Sequence, residues 1–417
     1  MEPTTVRQQA EKSRAAATIL ATLSHSQKDS ALAAMAKALR ANAAAIVEAN
    51  AIDLDNARSA GISAAMINRL EMGPQVIEAT SAAVEYVISL DDPVGSRTAM
   101  VRRPNGLQVA RQRIPLGVIG MIYESRPNVT VDAAALCLKS GNSVLLRGGK
   151  EAAETNRVLG SVIEEAIASA GVPMHAVQIV SAHNRDTIRE LISLDQLVDL
   201  VIPRGGEGLI RFVTEHSRVP VVQHFKGVCH LFVDAGSDVG MAVNLVINGK
   251  VQRPGVCNAL ECLLVHATAA PIALPEIGKA LAENQVEVRG CPETLKYIPD
   301  AKLATEADWG CEFLAKILAV RVVADFDAAL NHVNRYGSRH SEAICTNSYI
   351  NSQRWLNDVD ASCVLVNAST RFNDGGELGL GAEIGISTSK LHAYGPMGLA
   401  SLTSEKWVVL GEGQVRS

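Results

Sequence analysis

The sequence predicts an α/β fold made of two domains, the first built on a twisted parallel sheet. From Pro115 onward, short apolar runs of strand length alternate with segments of helical periodicity, a pattern typical of consecutive βαβ units with helices on both faces of the sheet. A second alternating block begins near His230 and predicts a separate α/β domain. With 417 residues, of which 47% are hydrophobic, the chain can bury the cores of two or three domains.

The N-terminal segment predicts helices, and the segment after it predicts a hairpin. Residues 5–90 are rich in Ala and Leu at helical spacing, which favours several packed helices that cover a sheet. Between residues 91 and 113, short strand-like runs flank the turn signal Pro104-Asn105-Gly106. We therefore expect a protruding hairpin, an element that often pairs with another subunit.

Both alternating blocks can be assigned element by element. The first block predicts strand 118–123, helix 129–139, strand 143–147, helix 151–169, strand 176–180, helix 184–193, strand 198–202, helix 207–216 and strand 219–222. The second predicts strands 230–234, 262–266, 317–323, 342–346 and 363–367, with a last strand at 407–410.

Composition excludes several classes of function. A net charge of -5 gives no electrostatic reason to expect nucleic acid or an anionic membrane surface as a partner. The apolar stretch 15–23 is short and lacks a cleavage site, so we predict no signal peptide, and no uncharged stretch is as long as a membrane span. The eight cysteines are scattered singly, which favours reduced thiols in the cytoplasm over disulfides or a metal site.

Polar and glycine-rich stretches follow three strands of the first block, at residues 124–128, 147–150 and 203–208. Ligands of parallel sheets bind beyond the carboxyl ends of the strands, so these stretches are candidates for a binding site. Gly205 and Gly206 lie between a strand and a helix, where bare N–H groups can hold a pyrophosphate. A lone glycine loop is weak support for this interpretation.

One cysteine stands in a position suited to chemistry. Cys257 follows the turn Pro254-Gly255, between the helical spacing of residues 239–248 and the apolar strand that starts at Cys262. Connections on a rigid scaffold often carry catalytic groups, so we interpret Cys257 as a nucleophile. The alternative for each of the eight cysteines is a small buried hydrophobic residue, and we retain that alternative for Cys262.

Four stretches together resemble the aldehyde dehydrogenase superfamily, and within it the branch that reduces an acyl phosphate: residues 115–129, 140–151, 251–261 and 379–388. The resemblance covers nearly the whole chain. It implies an aldehyde-dehydrogenase-like fold with a Rossmann-type NADPH-binding domain at 1–228, a catalytic domain at 229–400, and oligomerisation elements formed by the hairpin 95–113 and the C-terminal strand 401–417.

The resemblance also implies a reaction. L-glutamyl 5-phosphate would be reduced by NADPH to L-glutamate 5-semialdehyde with release of phosphate, as a step of proline biosynthesis. Cys257 would attack the acyl carbon to form a thioester, which then accepts hydride. Lys250 and Arg253 are close enough in sequence to lower the pKa of the thiol. We expect a homo-oligomer, a dimer or a tetramer, and an upstream glutamate kinase is a candidate partner.

The oxyanion of this reaction needs donors near the attacked carbon. In the superfamily these are the backbone N–H of the cysteine and a side-chain amide. The corresponding stretch here, residues 124–128, departs from the usual pattern and leaves Asn128 and Arg126 as candidates, with Arg126 also a candidate for the substrate phosphate. The alternative is that Asn128 caps the next helix, since Asn is a favoured cap residue.

For the cofactor, the superfamily places a lysine and a glutamate after the second strand, where this chain has Arg147 and Lys150. A lysine at the position of a glutamate removes repulsion of a 2′-phosphate and adds attraction, so NADPH is predicted over NADH. Gly205 and Gly206 match the second nucleotide loop. Glu312 resembles the glutamate that binds the nicotinamide ribose, with an ordinary surface carboxylate as the alternative.

Hydrolytic members carry a glutamate base that this chain lacks, because residues 221–227 contain no acid. Exchange of the thioester with phosphate is therefore favoured over its hydrolysis by water. His224 lies in this stretch and is a candidate substitute for the missing base, but a lone histidine beside apolar neighbours is more often structural. Residues 369–374 are candidates for holding the amino acid end of the substrate, or are only a mobile connection.

Two other functions compete with the reduction of an acyl phosphate. They are a hydrolytic aldehyde dehydrogenase and a non-catalytic nucleotide-binding protein.

Overall fold

The structure, a computed structural model, describes residues 5–181 and 186–416. The chain divides into two compact units. The first unit comprises the described residues up to Gln223, together with Leu380–Gly385 and the described residues from Met397 onward. The second unit comprises His224–Gly379 and Ile386–Pro396. The roles assigned to the two domains from the sequence stay predictions.

The N-terminal helices of the first unit are set by their caps and apolar faces. Thr5 and Ser24 each form a capping box with the glutamine three residues later, which fixes the first residue of two helices. The helices before residue 90 are α1 (Val6–Leu20), α2 (His25–Ala41), α3 (Ala43–Ser59), α4 (Ala64–Leu70) and α5 (Pro74–Ser89). The prediction of several packed helices over residues 5–90 is confirmed.

No single helix among the described residues is long and apolar enough to cross a membrane. The consecutive helices α2 and α3 together meet the criteria of length and composition, with a bend of 67° between them. Both helices pack against α7 (Ala153–Ser169) inside the first unit.

The parallel sheet of the first unit follows the predicted alternation. Its strands are β3 (Val118–Tyr123), β4 (Ser143–Arg147), β5 (Val177–Ile179) and β6 (Leu200–Arg204), in the order β5-β4-β3-β6. The other helices of this unit are α6 (Asn128–Lys139), α8 (Asp186–Ser193) and α9 (Glu207–His216). Strands β3 and β4 are buried along their whole length, as expected for a sheet covered on both faces.

One predicted strand of the first block is absent, and part of one predicted helix cannot be compared with the structure. The predicted strand 219–222 is wrong, because only an isolated bridge joins Val221 to Val201. Pro220 has no N–H to donate, so this short segment cannot extend the ladder. Residues 184 and 185 of the predicted helix 184–193 lie outside the described residues.

The predicted hairpin is present and is extended by the C-terminal strand. β1 (Val101–Arg102), β2 (Gln108–Pro115) and β16 (Thr403–Leu410) form an antiparallel sheet in the order β1-β2-β16. Trp407 lies opposite Arg111 in this sheet and is 66% exposed. The role of this sheet in oligomerisation remains a prediction.

A seven-stranded parallel sheet forms the second unit. Its strand order is β10-β9-β11-β8-β7-β12-β13. The strands are β7 (Cys229–Val233), β8 (Leu260–His266), β9 (Glu287–Gly290), β10 (Lys302–Leu303), β11 (Ile317–Val323), β12 (Ser341–Cys345) and β13 (Cys363–Val366). The helices are α10 (Val239–Val251), α11 (Ala270–Glu283), α12 (Phe326–Tyr336) and α13 (Tyr349–Asp358), and the short strands β14 (Gly385–Ser387) and β15 (Gly395–Met397) follow.

The core of the second unit shows why its strands are almost wholly apolar. Leu231 and Leu263 belong to the apolar cluster on one face of the sheet, whereas Phe232 and Leu264 belong to the cluster on the other. Since successive strand residues point to opposite faces, burial of both faces requires a continuous apolar run. Strand β9 was not predicted, because Glu287 and Arg289 interrupt its pattern.

Candidate active site

Cys257 lies in the connection between α10 and β8, as the sequence predicts. The helix ends at Val251 and the strand begins at Leu260, so the cysteine belongs to neither element. Its side chain is partly exposed, whereas Cys262 is fully buried in β8. A partly exposed thiol can meet a substrate, and a thiol sealed in the core cannot.

A buried ion pair holds both ends of this connection. Lys250, near the end of α10, and Glu261, at the start of β8, are fully buried and lie 2.6 Å apart from Nζ to Oε2. The second oxygen of Glu261 accepts the N–H of Leu314. Burial raises the pKa of Glu261 to about 7, and Lys250 opposes that rise. The expectation that Lys250 acts as a cation for the thiol is wrong, because its charge is already paired in the core.

Replacement of Lys250 by methionine is expected to lower the free energy of unfolding by about 3 kcal/mol or more, since Glu261 would be left buried without its partner. Urea denaturation measures the change. The matched control is Arg58→Met, which removes an exposed ion pair with Asp55 and should cost less than about 1 kcal/mol. Equal losses in both variants would contradict a structural role for the buried pair.

Two histidines meet the nucleophile at the amino ends of neighbouring strands. His224 precedes β7, Cys257 precedes β8 and His340 immediately precedes β12, and the three strands are adjacent in the sheet. One ring nitrogen of each histidine and the sulfur of Cys257 lie within 4.8 Å of one another. His224, for which the sequence favoured a structural role without excluding a role as base, is therefore part of the surroundings of the thiol.

His340 is held firmly beside the thiol. The side chain is fully buried, and its Nδ1 lies 2.7 Å from the hydroxyl of Ser341. Burial lowers the pKa of His340 to about 3, and His224 adds to that effect. Cys229, at the start of β7, donates its S–H to the carbonyl oxygen of Cys257 at 3.2 Å. The contact from Cys229 holds the backbone carbonyl of the nucleophile.

Glu312 lies near the nucleophile through Gly227. Its carboxylate accepts the backbone N–H of Gly227 at 2.9 Å, so it is not an ordinary solvated carboxylate. A Cβ at position 227 would lie 2.0 Å from the carbonyl oxygen of Cys257. Only glycine allows the carbonyl oxygen of Cys257 to come this close. Gly227 therefore contacts both Glu312 and Cys257.

Residues 369–374 pack against the cysteine segment. Thr370 donates its hydroxyl to the carbonyl oxygen of Asn258, and the amide of Asn258 donates to the carbonyl oxygen of Asn373 at 3.0 Å. This part of the chain is anchored rather than a loose connection. Burial lowers the pKa of Arg371, whereas Asp374 and Cys257 act in the opposite direction, which places the Arg371 guanidinium within electrostatic range of the thiol.

In the first unit, the carboxyl ends of the strands surround a cleft of about 700 Å³. Arg147 and Lys150 line this cleft, as does Gly208. Residues from all three polar stretches that follow β3, β4 and β6 therefore line one cleft. The remaining lining residues are Ile122, Tyr123, Glu124, Gly149, Glu151, Asp186, Ile188, Arg189, Leu209 and Phe212.

Gly205 and Gly206 stand beside the cleft rather than in its wall. The N–H of Gly206, the residue before α9, donates to Glu124 Oε2 at 3.0 Å. A Cβ at Gly205 would lie 2.5 Å from the same carboxylate oxygen. Any anion held by the N–H of Gly206 would have to replace Glu124, so the cations of the cleft are better placed for phosphate binding.

Asn128 and Arg126 follow a strained turn after β3. Ser125 has a φ of 51°, and its N–H and hydroxyl both donate to Glu151 Oε1. Asn128 is the first residue of α6, and its amide donates to Asp132 at 3.1 Å, so the alternative that it caps this helix is wrong. Burial raises the pKa of Asp132 to about 6, and Asn128 opposes that rise.

Three comparisons with known proteins extend these observations. Residues 1–296 match the model of the aldehyde dehydrogenase family. The gamma-glutamyl phosphate reductase of Sorangium cellulosum is 58% identical over 413 residues, 97% of this chain and 96% of the relative. That of Desulfatibacillum aliphaticivorans is 54% identical over 408 residues, 98% of each chain. The chain belongs to the gamma-glutamyl phosphate reductases of the aldehyde dehydrogenase family.

A solved structure agrees with this membership. The crystal structure of gamma-glutamyl phosphate reductase from Thermotoga maritima superimposes with a TM-score of 0.97 at 45% identity, covering 99% of this chain and 100% of that one. The predicted fold class and family are confirmed, as is the prediction of an oxidoreductase. A nicotinamide cofactor follows from membership of the family.

Sequence reasoning missed several residues around the nucleophile, among them His340, Cys229 and Glu261. His340 is 83 positions from Cys257, and nothing in its local pattern marks it. It precedes β12, which lies beside β7 in the sheet although the two strands are far apart in sequence. For Glu261 a signal existed. A charged residue at the start of an apolar strand, eleven positions after a lysine, pointed to a buried pair.

Proposed function

We propose that this chain reduces L-glutamyl 5-phosphate to L-glutamate 5-semialdehyde with NADPH, releasing phosphate, as a step of proline biosynthesis. The observation that carries the proposal is the placement of Cys257, a partly exposed thiol in an anchored connection of a chain that belongs to the gamma-glutamyl phosphate reductases. Thiols in this setting form thioesters with activated acyl groups.

Cys257 acts as the nucleophile. Its thiolate forms a bond to the acyl carbon of the substrate, and the carbon–oxygen bond to phosphate breaks, with the electron pair leaving on phosphate. Arg371 stabilises the thiolate through its positive charge, since it lies within electrostatic range of the sulfur. The oxyanion formed on attack is held by the backbone N–H of Cys257, with Asn128 or Arg126 as the candidate second donor.

The cleft of the first unit suits NADPH by the chemistry of its donors. Arg147, Lys150 and Arg189 place three cations along one cleft, which fits a cofactor that carries a pyrophosphate and a 2′-phosphate. When bound, the reduced nicotinamide supplies the hydride that turns the thioester into the aldehyde. Glu312 holds the nicotinamide ribose in this proposal, and Gly205 and Gly206 contribute backbone near the phosphates.

The segment 369–374 binds the amino acid end of the substrate. It is anchored on Asn258, directly after the nucleophile, so a bound substrate would reach Cys257 from it. Arg371 offers a cation for a carboxylate, and Asp374 offers an acceptor for an ammonium group. Arg126 is a candidate for the phosphate that leaves.

Reverse turnover with glutamate 5-semialdehyde and NADP is expected to require inorganic phosphate. Residues 221–227 contain no acid that could activate water, so the acyl group of the thioester is transferred to phosphate. The measurement is the initial rate of NADPH formation with phosphate and with sulfate at equal ionic strength. An equal rate in sulfate would contradict phosphorolysis and would favour a hydrolytic aldehyde dehydrogenase.

We also propose how the chain assembles, what each domain does and where the enzyme acts. The sheet β1-β2-β16 exposes Val101, Trp407 and Val409, and we assign it to contact with another copy of the chain, in a dimer or a tetramer. The first domain, residues 1–228, binds the cofactor and the second, residues 229–400, carries the nucleophile. All eight cysteines are free thiols, which fits the cytoplasm. A glutamate kinase remains the candidate partner.

A further inference from the structure

The surroundings of Cys257 have the composition of a metal site. The sulfur of Cys257 and one ring nitrogen each of His224 and His340 lie within 4.8 Å of one another. A thiolate and two imidazoles are ligands that Zn²⁺ favours, with the fourth position of its tetrahedron open to water or another ligand. We call these three residues the thiol–imidazole site.

The distances need little change to hold an ion. Zinc binds sulfur at about 2.3 Å and nitrogen at about 2.0–2.1 Å, so ligand atoms of a tetrahedral site lie roughly 3.3–3.6 Å apart. The ligand atoms lie at most 4.8 Å apart, so each distance between two of them must shorten by no more than about 1.5 Å. Cys257 and His224 are only partly buried, so an ion can approach from solvent and the side chains can adjust.

A second observation points to a ligand at His340. His340 is fully buried, its Nδ1 lies beside the hydroxyl of Ser341, and its Nε2 has no hydrogen-bond partner in the described part of the chain. A buried polar nitrogen without a partner is costly unless something binds it. With the proton on Nδ1, the lone pair of Nε2 is available to a metal ion.

We propose that His224, Cys257 and His340 bind Zn²⁺ as an inhibitory site that withdraws the nucleophile from catalysis. Binding releases the thiol proton to solvent and places the sulfur electron pair on the ion, so the same sulfur cannot attack an acyl carbon. Occupancy by zinc and turnover exclude each other. This inference rests on the proposed function only in that Cys257 is the nucleophile.

The expectation of no metal site rested on spacing along the sequence. Positions 224, 257 and 340 show no ligand motif, and the order β8-β7-β12 brings them together. Only the folded sheet reveals the set of ligands.

A second trio in the same unit provides the matched control. His230, Cys262 and His332 also bring their ligand atoms within 4.8 Å, but all three residues are buried. Arg321 donates to Nδ1 of His332 at 3.1 Å, so the proton of this imidazole sits on Nε2, which lies 3.5 Å from Cys262. A protonated nitrogen offers no lone pair, and no ion reaches a sealed site.

The experiment measures zinc directly. Full-length protein is freed of metal with a chelator and then titrated with Zn²⁺, and bound metal is read by competition with a chromophoric chelator and by elemental analysis. We expect the wild type to bind one ion per chain with loss of turnover, and EDTA to restore turnover. Cys257→Ser and His340→Gln should weaken zinc binding by on the order of 100-fold, whereas Cys262→Ser should leave it unchanged.

Because His340 is buried, its variant could fail to fold, so His224→Gln is included and thermal unfolding of each variant is recorded. Loss of zinc binding in Cys262→Ser but not in Cys257→Ser would overturn the proposal in favour of the sealed trio. Absence of a bound ion in the wild type would overturn it too. If zinc binding follows the expected pattern while the protein does not reduce L-glutamyl 5-phosphate, the metal site stands and the proposed function fails.

Discussion

Replacement of Cys257 by serine is expected to lower kcat for acyl phosphate reduction by at least about 10³-fold, because a hydroxyl at this position is a far weaker nucleophile than a thiolate. The measurement is NADPH oxidation with L-glutamyl 5-phosphate at saturating cofactor. Labelling with iodoacetamide gives a second readout, since the wild type should be alkylated at Cys257 and protected by substrate.

Cys262→Ser is the control for this loss. Cys262 lies five residues later, is fully buried in β8 and contacts His332 rather than the nucleophile. Its replacement changes stability but should leave kcat within about threefold, because it touches no reacting atom. Turnover in Cys257→Ser similar to that of the wild type, with both proteins folded, would rule out the thioester mechanism.

Reversal of the charge at Lys150 is expected to change cofactor preference. Lys150→Glu should lower kcat/KM for NADPH by roughly 10- to 100-fold, since a charge-assisted hydrogen bond to the 2′-phosphate is replaced by repulsion. The value for NADH should stay the same or rise, because a glutamate can accept hydrogen bonds from the ribose hydroxyls. Steady-state kinetics with both cofactors measures the change.

The matched control is Lys12→Glu, an exposed lysine on α1 in the same unit, for which both cofactors should be unaffected. This variant has the same change in net charge, so it separates a local contact from a general electrostatic effect. A wild-type enzyme that prefers NADH, or an equal loss for both cofactors in Lys150→Glu, would contradict the assignment of Lys150.

The elements of the fold were predictable where local pattern and burial agree. The strands Ser143–Arg147 and Ile317–Val323 and the helix Glu207–His216 have the predicted bounds, because each is a periodic segment bounded by glycine or polar residues. Prediction failed where a single residue overrides the pattern, as with Pro220 in the segment 219–222, or where charged residues interrupt a short strand, as in β9.

The candidate site was predictable in part. The connection that carries Cys257 and the cleft lined by Arg147 and Lys150 follow from turns and glycines at the ends of elements. The role of Lys250 was misjudged, because closeness in sequence does not tell which way a side chain points. At the end of α10 it faces inward to Glu261, whereas the Arg371 guanidinium lies within electrostatic range of the thiol.

The family, the α/β class and the segment that carries the nucleophile could be predicted from the sequence, since they depend on local periodicity and on motifs of adjacent residues. The residues that surround Cys257 could be identified only in the folded chain. His224 and His340 reach the thiol because β7, β8 and β12 are neighbours in one parallel sheet. The order of strands is set by packing across the whole unit, and no local pattern records it.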